Sequence, residues 1–373
     1  MIYFDHAATS FQKPKTVRNA VLRAMQECAS PGRGGYRWAM NAAQELYDCR
    51  VTAGEVFSCP AENVVFTMNA THGLNMAITS VVKPGSNVVI SGFEHNAVWR
   101  PLHKIGANIK IAGRKLFDPE ATLREFEEAV NSDTDAVICT HVSNVFGYIL
   151  PVQEIAELCR ERNVPIVLDA SQSAGILPVS MKDLGAAFIA MPGHKGLYGP
   201  QGTGLLLCSQ IPEVLISGGT GSLSASSEMP DFLPDRGEAG THNVPGICGL
   251  LAGMRFVEEL GAKKILTHEQ NLCRRIVKNL SSNKKIQIFS DGFKNQAGVL
   301  SVNIDGIDCE CAAEFLAEHD CAVRAGLHCS PLAHESAGTL ESGTIRISPS
   351  AFSTEKQADV LSEMLLACAE RKK

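Results

Sequence analysis

The sequence predicts an α/β fold with a mostly parallel central sheet, and two observations support this prediction. Short, nearly uninterrupted apolar runs recur between about residues 60 and 210. Segments with helical periodicity separate some of them: Val152, Ile155, Ala156 and Cys159 recur at helical spacing between two of the runs. Apolar strands that alternate with helices are typical of a parallel sheet that is buried on both faces.

The elements can be assigned in chain order from these patterns. The predicted strands of the sheet are residues 63–67, 87–90, 135–139, 166–168, 187–190 and 204–208. A Gly- and Ser-rich segment at 218–240 is predicted to be a long loop, and a helical pattern follows at 247–260. Beyond it we predict strands at 298–304 and 344–348, and helices at 309–319 and 354–370. We therefore expect a large domain at residues 15–255 and a smaller α+β domain at 1–14 and 256–373.

Composition excludes several classes of function. The 373 residues carry a net charge of −6 without a long basic run, so we expect no nucleic-acid binding. No apolar run approaches the ~20 residues of a membrane span, and the N-terminus lacks the basic, then apolar pattern of a signal peptide. The 13 cysteines are an odd number and lie in apolar segments, which indicates reduced thiols and a cytoplasmic location. Their spacing does not match a zinc site, so we expect no metal.

A lysine and an aspartate follow two of the predicted strands. Lys195 lies in a glycine-rich turn just after the apolar run 186–190, and Asp169 ends the run 164–169. The carboxyl ends of parallel strands meet at one edge of a sheet, where ligands bind. Pyridoxal phosphate (PLP) needs this pair: the amine links to it covalently, and the carboxylate keeps its pyridine nitrogen protonated.

Other polar residues follow strand ends at the same edge. They are Thr71, His72, His95, Asn144, Gln172 and His194. Most of the cysteines are expected to be inert core residues. Cys329 is the exception, because it follows a histidine in a glycine-containing turn, where a thiolate could be stabilised.

Together, these motifs resemble those of a known family: the PLP-dependent cysteine desulfurases of the class V aminotransferase group, with fold type I. The resemblance extends nearly from end to end. Its segments are residues 3–9, 94–97, 141–144, 168–172, 193–195, 238–243, 324–331 and 345–349. The segment 324–331 is similar to the branch shared with selenocysteine lyases.

The resemblance implies roles around the cofactor ring. Lys195 would hold PLP covalently and later move the substrate α-proton. Asp169 would pair with the pyridine nitrogen, and Gln172 would donate a hydrogen bond to the phenolic oxygen. His95 would stack on the face of the ring, and Asn144 would contact the ring and the substrate.

The resemblance also implies a phosphate site and a homodimer. The phosphate would lie on Thr71 and the backbone amides of Thr71 and His72, at a helix N-terminus that suits an anion, with help from His194. For the side chain of His72, a structural role at the helix start and a role in the wall of the site both stay open. Thr241 would reach the phosphate of the partner subunit. Pro192 departs from the family, which commonly has Ser or Thr there, and it removes a hydroxyl and an amide donor.

On the substrate side, Arg346 would clamp the carboxylate of L-cysteine through a two-pronged hydrogen bond. Cys329 would attack the sulfur, giving alanine and a persulfide for an acceptor protein. Two other enzymatic activities remain open: a selenocysteine lyase, or another aminotransferase-like lyase in which Cys329 is incidental. A non-catalytic scaffold is the third alternative, but the set of Lys195, Asp169, Gln172 and Arg346 argues against it.

Overall fold

The computed structural model describes residues 1–32 and 34–371. Its strands are β1 Ile2–Tyr3, β2 Val64–Thr67, β3 Asn87–Ser91, β4 Asn108–Ala112, β5 Ala136–Thr140, β6 Ile166–Asp169, β7 Phe188–Pro192, β8 Gly204–Cys208, β9 Ile286–Phe289, β10 Leu300–Ile304, β11 Cys321–Ala322, β12 Arg324–Gly326 and β13 Thr344–Ile347. Its helices are α1 Lys15–Glu27, α2 Arg37–Phe57, α3 Ala70–Val81, α4 Asn96–Ile105, α5 Pro119–Ala129, α6 Val152–Glu161, α7 Met181–Leu184, α8 Val244–Leu260, α9 Ala262–Leu280, α10 Cys309–Glu318, α11 Pro331–Ala337 and α12 Glu355–Ala369.

The central sheet has seven strands in the order β2-β8-β7-β6-β5-β3-β4. The strands from β4 to β7 run parallel, whereas β8 is antiparallel to both of its neighbours. Every residue of β5, β6 and β7 is buried, which explains their continuous apolar sequences. The predicted α/β class and the mostly parallel sheet are confirmed, and all six predicted strands are present.

The sequence patterns missed one strand of this sheet. β4 lies at the edge, and its residues alternate between exposed and partly buried up to the buried Ala112. Lys110 stands in the middle of this strand, so the segment lacks the continuous apolar run by which the other strands were recognised. An edge strand with a lysine is also protected against pairing with another chain.

A second, smaller layer is built on an antiparallel sheet in the order β12-β13-β10-β9. It has its own core, which includes Phe4 from the N-terminal segment together with Ile276, Val302 and Leu365. The parallel pairing of β1 with β11 also ties the N-terminus to this part of the chain. The predicted domain boundary after residue 255 falls within α8 and stays a prediction.

Two helix caps lie at the edge of the large sheet, just after the ends of β2 and β3. Asn69 caps α3, because its Oδ1 accepts a hydrogen bond from the backbone of His72 (2.9 Å). His95 caps α4 in the same way, with Nδ1 accepting from the backbone of Ala97 (3.0 Å). Both caps therefore turn polar residues toward the carboxyl edge of the sheet. Within residues 1–32 and 34–371, we find no helix that is long and apolar enough to cross a membrane.

Candidate active site

A cavity of about 190 Å³ lies at the carboxyl ends of β5, β6 and β7. The structure brings seven of the predicted site residues to its walls: Thr71, His95, Asn144, Asp169, Gln172, His194 and Lys195. Pro192, the last residue of β7, lines the same cavity. Residues at the ends of five strands, β2, β3, β5, β6 and β7, thus share one site, as the parallel topology requires.

Lys195 and Asp169 face this cavity from adjacent strands. Asp169 ends β6, is buried, and accepts a hydrogen bond from the backbone of Ser171 (2.9 Å). Lys195 follows β7 through Gly193, where a Cβ atom would lie only 2.2 Å from Thr203 Oγ1. Burial lowers the pKa of Lys195 to about 8, although the nearby Asp169 carboxylate opposes that shift. The amine is therefore a nucleophile near neutral pH.

His95 presents a neutral ring to the cavity. Burial lowers its pKa to about 4, and the charge of Lys195 acts in the same direction. Its Nδ1 accepts the capping hydrogen bond from Ala97, so in the neutral ring the proton is assigned to Nε2. A neutral, fixed imidazole is suited to contact the face of an aromatic ring.

The N-terminal segment forms one wall of the site. Gln172 Nε2 donates to the carbonyl oxygen of Ala7 (2.9 Å), and His194 Nδ1 pairs with Thr9 Oγ1 (3.0 Å). Burial lowers the pKa of His194 to about 4, and the charge of Lys195 adds to the shift. Both side chains are therefore held in place by residues far away in sequence.

Two of the predicted cofactor residues lie elsewhere. His72 and Thr241 line a neighbouring cavity of about 170 Å³. The backbone N–H of His72 is already paired with the Asn69 cap, whereas Thr71, in the first turn of α3, lines the Lys195 cavity. Thr241 is exposed, so within a single chain it is not part of the site.

A buried ion pair anchors the segment that carries Thr241. Glu238 accepts hydrogen bonds from Arg50 of α2 (2.8 Å) and from the backbone of Phe66 in β2 (2.6 Å). His242 Nε2 also contacts this carboxylate, at 2.6 Å. Burial alone would raise the pKa of Glu238, but His242 and Arg50 together outweigh it and lower that pKa.

Arg346, in β13, is buried and already contacts a carboxylate. Its Nη2 donates to Asp5 Oδ1 (2.8 Å) and its Nη1 donates to the backbone oxygen of Asn144 (3.0 Å). Its Nε is buried and has no partner among the described residues. The pairing of Asp5 with Arg346 could not be predicted from the sequence, although Asp5 belongs to one of the segments that carry the resemblance.

Cys329 is exposed and lies in the short connection between β12 and α11. The backbone of His328 and of Cys329 is left-handed, with φ of 49° and 57°. The carbonyl oxygen of Cys329 accepts a hydrogen bond from the backbone of Asn96 (2.7 Å), which directly follows His95. The turn that carries the thiol is thus attached to the wall of the Lys195 cavity.

A comparison with protein families matches residues 2–361 to the family described as aminotransferase class-V. The chain belongs to the class-V aminotransferase family. Among curated relatives of this chain is a probable cysteine desulfurase of Methanothermobacter thermautotrophicus, 30% identical over 98% of this chain and 94% of that protein. A cysteine desulfurase of Shigella flexneri is 30% identical over 88% and 84% of the two chains.

Solved structures agree with this assignment. A cysteine desulfurase from Thermococcus onnurineus NA1 superposes with a TM-score of 0.89 at 29% identity, over 98% of this chain and 94% of that chain. A cysteine desulfurase from Escherichia coli, 21% identical, has the same fold with a TM-score of 0.86 over 99% and 94% of the chains. The predicted PLP fold type I is confirmed.

The family implies PLP, and the residues of this chain fit that cofactor. The cavity holds a buried amine of lowered pKa, a buried carboxylate on the neighbouring strand and a neutral imidazole. It also reaches the first turn of α3, where backbone N–H groups favour an anion. These are the hydrogen-bond acceptor, the amine and the anion-binding N–H groups that a protonated pyridine ring with a phosphate requires.

Glu94 is a second residue whose place the sequence did not reveal. It is fully buried beside His95, and its Oε1 accepts hydrogen bonds from Ser91 Oγ and from the backbone of Thr140 (2.7 Å). Burial raises the pKa of Glu94 to about 8, so the carboxyl is mostly protonated at neutral pH. It joins β3 to β5 beneath the site. In the sequence, the only sign of a role for Glu94 is its charge within segment 94–97, one of the segments that carry the resemblance.

Proposed function

We propose that this chain is a cysteine desulfurase, which takes sulfur from L-cysteine and releases L-alanine. One observation carries the proposal: an exposed thiol, Cys329, lies on a turn that is hydrogen-bonded to the wall of the Lys195 cavity. An aminotransferase reaction needs the lysine but no thiol. A thiol on a turn that is attached to the wall of the lysine's cavity supports transfer of sulfur.

We infer that PLP is the cofactor of this chain. Lys195 would bind it covalently, Asp169 would hold the proton of the pyridine nitrogen, and His95 would lie on the ring face. Thr71 and the first turn of α3 would receive the phosphate, beside His194. When bound, PLP withdraws electrons from the bonds at the substrate Cα.

The remaining steps belong to residues of this chain. Arg346 would bind the substrate carboxylate with N–H groups that Asp5 and Asn144 leave free, since a guanidinium has five donors. The buried Lys195 amine, whose pKa is lowered to about 8, would remove the α-proton and return it.

The sulfur step balances without an external oxidant. The Cys329 thiolate attacks the sulfur of the substrate, an S–S bond forms, and the Cβ–S bond breaks. The electron pair of the broken bond stays with the carbon part, which takes up a proton and leaves as L-alanine. The oxidised partner is Cys329, now a persulfide. A sulfur-acceptor protein with its own thiol would then take the terminal sulfur by thiol exchange.

We also propose a homodimer. Large apolar side chains on α1 and α2 are each more than half exposed: Leu22, Met25, Trp38, Met40 and Tyr47. Tyr47 lies one helical turn before Arg50, whose partner Glu238 leads directly to Thr241. An apolar patch of this kind marks an interaction site, and a second copy seated there would support the predicted reach of Thr241 into the partner's site.

A cytoplasmic location is the final element of the proposal. The cysteines are free thiols, and all except Cys311 and Cys329 are at least partly buried. Such use of cysteine in the core suits a reducing compartment.

The direct test is incubation of the purified, PLP-loaded protein with L-cysteine and dithiothreitol, followed by assays of alanine and sulfide. We expect equal amounts of both. Release of pyruvate and ammonia in place of alanine would identify a different lyase and overturn the proposal. Activity on L-selenocysteine alone would move the selenocysteine lyase alternative ahead.

A further inference from the structure

Both polar atoms of the Asn144 side chain are bonded to the turn that carries Cys329. Asn144 Nδ2 donates to the carbonyl oxygen of His328 (2.8 Å), and Asn144 Oδ1 accepts from the hydroxyl of Ser330 (2.6 Å). Asn144 and Ser330 are both more than nine-tenths buried. The two hydrogen bonds thus bracket Cys329 on either side in sequence.

This turn needs such support, because its backbone is unfavourable. His328 and Cys329 are consecutive residues with a side chain and a left-handed φ, a conformation that persists only where the surroundings fix it. The bond from Asn96 to the Cys329 carbonyl fixes the middle of the turn. The Asn144 amide fixes the residues before and after it.

The same residue also contacts the guanidinium that would bind substrate. The backbone oxygen of Asn144 accepts from Arg346 Nη1 (3.0 Å). Asn144 therefore links Arg346, which would bind the substrate carboxylate, to the turn that carries Cys329. The Asn144 side chain has no other polar contact among the described residues.

We propose that Ser330 is a positioning residue for sulfur transfer: through Asn144 it holds the Cys329 thiol beside the Lys195 cavity. The inference rests on the proposed function and adds to it a residue that does not touch substrate or cofactor. It requires that removal of the Ser330 hydroxyl slows the step at Cys329 and leaves the proton transfer at Lys195 intact.

The test compares Ser330→Ala with Ser342→Ala, an exposed serine of the same layer whose hydroxyl accepts a hydrogen bond from Asn303. For Ser330→Ala we expect kcat for alanine formation from L-cysteine to fall about three- to tenfold, the loss that one net hydrogen bond supplies. Exchange of the α-proton of L-alanine with deuterated water, which needs Lys195 but not Cys329, should keep its rate. Cofactor absorbance should also be unchanged.

Alkylation by iodoacetamide tests the turn without relying on desulfurase activity. Among the described residues Cys311 is the only other exposed thiol, and it serves as an internal reference. In Ser330→Ala the ratio of alkylation at Cys329 to that at Cys311 should rise at least about threefold, because the exposed thiol on a freed turn can adopt more orientations in which the reagent attacks it. Ser342→Ala should keep the wild-type ratio.

The outcomes separate the two proposals. Unchanged kcat and an unchanged alkylation ratio in Ser330→Ala would overturn the positioning role. A parallel loss of alanine formation and α-proton exchange would also overturn it, since that pattern indicates a general disturbance of the site. If the wild type forms no alanine, the proposed function fails, and the alkylation ratio alone decides whether Ser330 holds the turn.

Discussion

Burial of the Lys195 amine sets the pH at which this side chain can react. Its pKa is lowered to about 8, whereas an exposed lysine titrates near 10.5, and only the unprotonated amine attacks a carbonyl. We expect the rate at which apoprotein captures PLP, followed by the rise in cofactor absorbance, to increase with pH and level off above about 8. A rate that still increases toward pH 10.5 would contradict the buried environment. Lys195→Ala should form no borohydride-stable link at any pH.

Cys329 is the residue on which the choice between activities depends. We expect Cys329→Ala to keep its cofactor absorbance and to lose nearly all alanine formation from L-cysteine, because no thiol remains to accept the sulfur. Selenium leaves more easily than sulfur, so a measurable share of activity on L-selenocysteine should remain. Mass spectrometry of the wild type after brief exposure to L-cysteine should show one added sulfur on the peptide with Cys329. Desulfuration of cysteine by the variant at the wild-type rate would favour the general lyase.

Arg346 and Arg324 contact the same carboxylate, Asp5, but differ in burial. We expect Arg346→Ala to lower kcat/KM for L-cysteine at least about 30-fold while PLP stays bound, since a charged partner of the substrate carboxylate is lost.

The Arg346→Ala variant should also lose about 3–5 kcal/mol of unfolding free energy, because a buried pair is broken. Arg324→Ala removes a half-exposed guanidinium and leaves Asp5 paired with Arg346, so it should change unfolding free energy by less than about 1 kcal/mol. Equal losses in urea titrations of both variants would show that burial does not distinguish these pairs.

At the scale of elements, α2 is joined to the Thr241 segment by the Arg50–Glu238 pair. Arg50→Ala leaves the buried Glu238 carboxylate without its guanidinium, so we expect a loss of about 3–5 kcal/mol in unfolding free energy. Arg23→Ala is the control, because the Arg23–Glu45 pair between α1 and α2 is exposed on the arginine side and should contribute at most about 1 kcal/mol. Denaturant unfolding monitored by circular dichroism measures both. Similar values for the two variants would show that the Glu238 site is not a structural anchor.

The strands could be predicted where complete burial gives a continuous apolar sequence. β5, β6 and β7 are buried throughout, so their apolar runs defined both their place and the polar residues that follow them. The direction of β8 could not be derived, since its sequence is as apolar as that of a parallel strand. The hydrogen-bond partners of Gln172 and Arg346 could not be predicted from the sequence either. Ala7 and Asp5 are more than 160 residues away in sequence, and only the folded chain brings them to the site.

At the scale of the molecule, the exposed apolar face of α1 and α2 is expected to pair with a second copy. We expect the double substitution Leu22→Asp and Met25→Asp to yield a monomer in analytical ultracentrifugation and to weaken retention of PLP, because Thr241 of the partner would be lost from the site. Leu260→Asp, at a partly exposed leucine that ends α8, is the control and should leave the oligomeric state unchanged. A wild-type monomer with full PLP occupancy would refute both the interface and the proposed reach of Thr241.

The connection between β12 and α11 contains only residues 327–330, and its middle is fastened to the start of α4. So short a connection has almost no reach, and under the proposed function a sulfur atom carried on Cys329 would not swing out to meet a distant recipient. The recipient has to travel the whole way and bring its own thiol to the enzyme surface. A small thiol, or a protein whose cysteine projects from the tip of a protruding segment, can make that approach. A protein whose cysteine is recessed in a broad, flat surface cannot, and this shape requirement selects among acceptors before any sulfur is exchanged.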